Sequence, residues 1–388
     1  MDKTPEPDWD PTAEEVLHDQ RAAYDKMREQ CPVAYSELMQ WSIFRHEDVV
    51  RILHDPETFS NTVSQHLSVP NGMDPPEHTA YRRIIEPYFS SERMTAFEPV
   101  CREIARNLIQ KISLSEEPEF IADFALPFAV QVQCAFLKWP PTLHEQLIRW
   151  TKRNADATRT RDRKTMSEIA DEFEQLIDEM LAIRAGHTNE TSSAGDVMAT
   201  LMNEQVHGRS LHNKEITSIL RNWTVGEIGT ISASIGILVD YLAQHPELQT
   251  QLRNHPSQLP AAIDEILRIH GPLVASRRIT TRPVEIAGRH IPQGARISIN
   301  WMSANRDGRV FEAPDTFRLD RDPSQNLLYG QGIHVCPGAP LARMEMRVCM
   351  EELLQKTTTI APIPNTPPIK AHYPASGYSH LRLKCKTN

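Results

Sequence analysis

Apolar residues along this chain fall mostly at helical spacing, with short alternating runs in two regions. Residues 14–30 predict a helix that stops at Cys31-Pro32, because proline offers no amide to continue it. VAYSEL (33–38) and WSIFRH (41–46), rich in β-branched and aromatic residues, predict a small hairpin, and EDVVRILHD (47–55) a short helix. Between about 91 and 210 helical segments alternate with polar breaks. HEQLIRWTKRNA and SEIADEFEQLIDEMLAIRA are separated by DATRTRDRKTM, and HTNETSSAG is read as a flexible connection. A long helix is predicted from Asn213 to about Gln244, stopping at His245-Pro246. After Pro272, residues 273–307 alternate like strands, and a last helix runs through LARMEMRVCMEELLQ behind Pro340. The pattern predicts a mainly α chain with a minor β region. No long Gly/Ser linker divides it, so residues 1–388 are read as a single domain with one large core.

Charge and cysteine usage narrow the function classes. A net charge of -9, with no basic stripe interleaved with aromatics, argues against a nucleic-acid partner. MDKTPEPDWDPTAEEV has neither a basic start nor an apolar run, and TISASIGILVDYLA is short and flanked by Glu227 and Asp240. The expectation is a protein outside the membrane. Six cysteines are spread without a CxxC pair, which fits a reducing compartment, so a cytoplasmic protein is expected; a monomer is the expected state. Asn189-Glu190-Thr191 matches a glycosylation acceptor but lacks a secretory context.

The chemistry concentrates in Tyr329-Gly330-Gln331-Gly332-Ile333-His334-Val335-Cys336-Pro337-Gly338. Its glycines permit positive φ and close approach to a flat group, and the helix that follows points its positive end at Cys336, favouring thiolate. A cysteine so placed suits a haem iron as axial ligand. A second unusual stretch is Val225-Gly226-Glu227-Ile228-Gly229-Thr230 inside the long helix, where each glycine costs about 1 kcal/mol relative to alanine. Close packing against a flat macrocycle would account for that cost. A mid-helix threonine can equally bond the preceding turn, and Glu227 can equally pair with a nearby cation.

The cysteine loop resembles the haem-ligand signature of the cytochrome P450 superfamily, with Tyr329 where the family usually has phenylalanine. Three other motifs agree in order: DPPEHTAYR (74–82), GEIGT (226–230), and Glu265-Ile266-Leu267-Arg268 with Arg321. The resemblance spans nearly the whole chain and implies the P450 fold around haem b, held by Cys336. It implies that His78, Arg82, Arg278 and His334 meet the haem propionates, where the residues alone also allow a solvated His/Arg helix face at 78 and 82. It places Gly226, Tyr329, Gly330 and Gly338 against the haem, and Val225, Leu273, Val274 and Ser276 beside the substrate. Glu265, Arg268 and Arg321 become a structural triad. The turn Ala375-Ser376-Gly377-Tyr378 is expected to enter the pocket, and the helices flanking 156–166 to form a mobile lid.

The implied activity is O2-dependent monooxygenation, inserting one oxygen atom by hydroxylation or O-dealkylation into a small apolar or aromatic substrate. Thr230 matches the family's oxygen-groove threonine, but Gly229 stands where the usual acid precedes it. Glu227, one turn away, is a candidate for its proton-handling role. No GxGxxG or cysteine cluster supplies a second cofactor, so a ferredoxin and its reductase are expected, docking near Arg83, Arg343 and Arg347. The missing acid keeps a peroxide-driven oxygenase with the same haem site open as the alternative. A non-catalytic haem sensor or carrier is the weakest reading, because nothing resembles an output module.

Overall fold

The computed structural model describes residues 5–185, 196–373 and 375–387, so the Asn189-Glu190-Thr191 triplet and HTNETSSAG lie outside the described residues. Its axis is the helix Asn213–Gln244, called the central helix below. Glu215 fixes its start by accepting the amide of His212 at 2.7 Å and the guanidinium of Arg209 at 2.7 Å, which satisfies donors that a helix N-terminus leaves open. The central helix is long and apolar enough to cross a membrane by length and composition. However, 61% of its most apolar stretch is buried inside the molecule, as befits a core helix. Leu126–Leu137 packs along it, and Ser91–Ile112 packs against Ala339–Lys356, the helix behind Cys336. These elements share the largest apolar core.

A five-stranded sheet covers one side, ordered Val33–Ser36, Gln40–Ile43, Arg296–Asn300, Ala275–Thr280, Phe59–Ser60. Its hairpin is the one the sequence predicts, with Tyr35 opposite Trp41. Gln40–Ile43 then runs parallel to Arg296–Asn300, joining the two distant alternating regions in one sheet.

Two boundaries differ from expectation. The first helical stretch is broken at Asp19 into Glu14–His18 and Gln20–Gln30, because the Asp19 carboxylate caps the second helix at Ala22. The polar break at 156–166 shrinks to Arg161 and Asp162. Arg161 adopts the left-handed conformation that ends one helix, and Asp162 accepts the amide of Thr165 to start the next. Arg159 therefore lies on a helix rather than in a loop.

The Glu265 triad forms as expected. Arg268, completely buried, grips Glu265 through Nε and Nη2 at 2.8 and 2.9 Å, and Arg321 Nε reaches the same carboxylate at 2.9 Å. Arg268 also donates to the carbonyls of Asn305 and Pro314. The triad thus ties the helix Leu259–His270 to the irregular segment leading to the cysteine loop.

Candidate haem site

Backbone geometry in the cysteine loop leaves little choice of residue at two positions. Gly330 and Gly332 both have φ +70°, and a Cβ on Gly332 would lie 2.3 Å from the carbonyl oxygen of Leu53. The loop closes where the Cys336 amide donates to the carbonyl of Tyr329 at 2.8 Å. Burial pushes the Cys336 thiol up, while the backbone amides of Gly338 and Ala339 and the charge of Arg82 act in the opposite sense. Tyr329, the departure from phenylalanine, lies under the guanidinium of Arg343 at 4.2 Å from its ring centre, and its buried hydroxyl has no hydrogen-bond partner among the described residues.

Cys336 and Gly338 lie in the wall of a cavity of about 670 Å³ that also includes Gly226 and Thr230 of the central helix. Apart from the helix's own backbone and the flanking residues, nothing among the described residues lies within 4 Å of where a Cβ would stand on Gly226 or Gly229, so the helix is open there. Thr230 Oγ1 donates to the carbonyl of Gly226, one turn back, the local bond that such a threonine is free to make.

Four basic side chains gather at this cavity. Arg82, Arg278 and His334 line it, and the His78 ring lies 4.2 Å from that of His334, centre to centre. Arg82 spans Glu86 at 2.9 Å and the carbonyl of Val335 at 2.5 Å, which ties its helix to the cysteine loop. Arg278 donates only to the carbonyl of Arg277 and has no carboxylate partner among the described residues. Burial depresses it to about 10. Burial, then the charges of His78, Arg278 and Arg82, pushes His334 down to about 3. Both His78 Nε2 and His334 Nε2 are buried without a hydrogen-bond partner. Orphaned buried nitrogens beside the Arg82 and Arg278 guanidinium groups suit an anionic group. A flat molecule carrying two carboxylates and a thiolate-binding iron fits these residues: Cys336 for the metal, the four basic groups for the carboxylates, and the two glycines for the face.

Some expected site residues are elsewhere. Val274 is fully buried in a separate cluster with Val16, Tyr24, Phe44 and Met302, and Val225 points outward, 45% exposed, so neither lines the cavity, whereas Leu273 and Ser276 do. The turn at 375–378 packs on the central helix instead: Gly377 meets Ala233 and Ile237, and Tyr378 donates to Asp240 at 2.5 Å. Arg343 pairs with Asp264, and Arg347 with Glu98 and Glu351, so two of the three expected docking cations are already neutralised. Arg83 is exposed and does not line this cavity. Among the described residues Glu227 has no cation beside it; its carboxyl faces Glu345.

Sequence reasoning missed Trp223, Trp301, Arg277 and Tyr373 in the cavity wall and Glu345 behind it. Trp223 carried a signal as a large amphipathic ring next to the Val225–Thr230 stretch, whereas Trp301 adjoins none of the motifs. Arg277 was hidden by its neighbour Arg278.

This fold and the residues around this cavity fit a haem-binding protein. The sequence model of the family Cytochrome P450 matches residues 145–374. The chain is 30% identical to the putative cytochrome P450 YjiB of Bacillus subtilis strain 168, covering 88% of this chain and 90% of that one. It is 31% identical to the erythromycin C-12 hydroxylase of Saccharopolyspora erythraea, covering 85% of each. Among solved structures, ligand-free P450 TbtJ1 superposes with a TM-score of 0.84 at 30% identity, over 95% of this chain and 97% of that one. CYP109E1 of Bacillus megaterium in complex with corticosterone gives 0.85 at 25%, over 96% and 99%. The chain belongs to the cytochrome P450 family, whose cofactor is haem and whose bacterial members are monooxygenases that take electrons from redox partners.

Proposed function

We propose that this P450 inserts one oxygen atom, by hydroxylation or O-dealkylation, into a small organic molecule with an apolar or aromatic body, using electrons from a separate ferredoxin and its reductase. The observation that carries the reading is the cavity with Cys336 on one wall and the Gly226–Thr230 segment on another. Haem bound there supplies the iron at which dioxygen is activated. Cys336 holds the metal, and His78, Arg82, Arg278 and His334 bind the carboxylates. Leu273, Ala275 and Ile231 give the substrate an apolar surface, while Asn61, Asn222 and Ser234 offer hydrogen bonds. The Thr230 hydroxyl, with its hydrogen engaged by Gly226, keeps its lone pairs free to receive a proton for the reaction. Glu227 lies one turn away as the nearest acid on this helix.

Screening small aromatics and terpenoids for the absorbance change that follows displacement of iron-bound water tests the substrate class. Saturable changes with apolar compounds support it, and responses confined to ions or sugars oppose it. The peroxide-driven alternative rests on Gly229, which leaves no side chain in the place of the usual acid. Comparing turnover driven by ferredoxin with turnover driven by peroxide separates the two.

A further inference from the structure

Behind the cavity the structure buries two acids against each other. Glu345 projects from Ala339–Lys356 and is completely buried; among the described residues neither of its carboxyl oxygens receives a hydrogen bond, and Oε1 of Glu227, from the central helix, is likewise buried and unpartnered. The polar group facing the Glu345 carboxyl is the Glu227 carboxyl itself. Other titratable groups near the pair are Cys101 from Ser91–Ile112, Cys349 one turn along from Glu345, and Cys336 and Tyr329 in the loop. None of them is a cation.

Two carboxylates cannot donate to one another, and two negative charges without a counter-ion in an apolar core repel strongly. The contact becomes a hydrogen bond only when one carboxyl carries a proton. Burial accordingly pushes both acids up, Glu345 the further. The mechanism needs such a group. Oxygen insertion consumes two electrons from the protein partner and two protons, giving hydroxylated product and one water, while position 229 offers no acid.

We propose that Glu227 and Glu345 form a buried acid pair that retains a proton at neutral pH and supplies one of the two protons of oxygen activation, with Glu345 as the positioning residue. The proposal rests on the monooxygenase reading above. Glu227 releases the proton from its carboxyl towards Thr230 Oγ1, one turn along the same helix. The pair, left doubly ionised, recovers the proton from solvent, and Glu345 again shares it with Glu227 across their contact. The net change over a cycle is one proton moved from water to the oxygen groove. Glu345 acts through Glu227 and touches no reacting atom.

The tests separate the pair from the activity. In the haem-loaded protein at neutral pH, infrared spectroscopy is expected to show a protonated-carboxyl stretch that moves on transfer to heavy water and is lost in Glu227→Gln/Glu345→Gln. Absence of that band in the wild type overturns the proposal, whatever the turnover result. A carboxyl with a raised folded-state pKa stabilises the fold below its unfolded value and loses that contribution as pH rises through the folded one. The melting temperature of the wild type should therefore fall more steeply than that of Glu345→Gln as pH rises from acidic to alkaline, and equal slopes count against the pair. With a surrogate ferredoxin and reductase and oxygen alone, Glu345→Gln should raise the share of oxygen released as peroxide, and Glu345→Asp should restore part of the loss. An unchanged peroxide share and pH profile in Glu345→Gln overturn the proton-supply role even if the infrared band is present. Should Glu345→Gln fail to fold, Glu227→Gln alone carries both measurements. If no substrate is ever oxidised while band and slopes appear as expected, the monooxygenase reading fails and the acid pair stands.

Discussion

The imidazoles of His78 and His334 lie 4.2 Å apart at a tilt of 54°, and each leaves Nε2 buried with no hydrogen-bond partner among the described residues. His78 comes from the helix Glu77–Ile85 and His334 from the cysteine loop, so the contact joins segments more than 250 residues apart. Arg82 makes the same junction through the carbonyl of Val335. Both histidines are buried beside Arg82 and Arg278; Glu86 pairs with Arg82, but no acid among the described residues bonds Arg278 or the orphaned imidazole nitrogens, an arrangement that costs stability until an anion arrives.

Replacing any one of these groups should weaken haem retention. A hydrogen bond to a charged partner contributes about 1.5–3 kcal/mol, so His78→Ala, Arg278→Gln and His334→Gln should each speed haem transfer to a scavenging protein by about 10-fold or more. Arg161→Gln, at an exposed helix end, serves as the control and should lose haem at the wild-type rate. Equal loss from all four variants would remove these residues from the site.

Cys336→Ser and Cys336→His should abolish the thiolate-type spectrum of the reduced carbon monoxide complex. Either variant retaining it would mean that another of the six cysteines binds the metal. Cys101, Cys134, Cys349 and Cys385 are buried in the core, so the substitution has no ready substitute ligand.

Much of this site was legible because it is built from local motifs. Gly332 announces a backbone position with no room for a side chain, and His78 and Arg82 share a helical face by their spacing. What sequence did not reveal depends on how distant elements cross. Glu345 sits in MEMRVCMEELL, where a glutamate every few residues looks like the solvated edge of an amphipathic helix; only packing of that helix between Ser91–Ile112 and the central helix buries it. Val274 follows Leu273 in a strand-like run, and neighbouring residues of such a run face opposite sides. The sequence could not say which of the two faces the cavity. The acidic partners of the expected docking cations were hidden for a similar reason, since Glu98, which accepts from Arg347, lies 249 residues away.

Electron delivery is the next prediction. Arg347→Glu would set a carboxylate against Glu98 and Glu351, which now accept from Arg347 at 2.5 and 2.9 Å. Slower reduction by ferredoxin should then be accompanied by a lower melting temperature. Arg83→Glu breaks no ion pair among the described residues, so any slowing there reports docking alone. Stopped-flow reduction at rising ionic strength checks both: a rate indifferent to salt in the wild type would exclude electrostatic docking at this face.

Glu215 offers a prediction in acid. It is buried, which raises a carboxyl, but Arg209, Tyr81 and the His212 amide outweigh burial and bring it down to about 2. A depressed folded-state value means that the stability it contributes is present above the unfolded value, about 4.3, and is lost as pH falls towards 2. Glu215→Gln should therefore be destabilised near neutrality, with the gap to wild type narrowing as the solution is acidified. Urea unfolding at several pH values measures it, and a gap independent of pH would show that the contribution is packing rather than charge.

The glycine that admits the cysteine loop can be tested against one that shares its backbone conformation but not its surroundings. Gly288, at φ +76°, has nothing within 4 Å of a built Cβ, so Gly288→Ala should cost only the left-handed penalty of about 1–2 kcal/mol. Gly332 has nearly the same φ, yet its Cβ would press on the Leu53 carbonyl at 2.3 Å, and a backbone oxygen cannot swing aside as a flexible side chain can. Gly332→Ala must therefore displace either the helix His46–Leu53 or the loop that carries His334 and Cys336. Unfolding free energy should fall by clearly more than for Gly288→Ala. A larger fraction of the reduced carbon monoxide complex should also lose its thiolate-type spectrum, because the displacement reaches Cys336 four residues on. If the two alanine variants lose the same stability and keep the same spectrum, the contact with Leu53 does not hold the loop in place, and the closure between Cys336 and Tyr329 must do so alone.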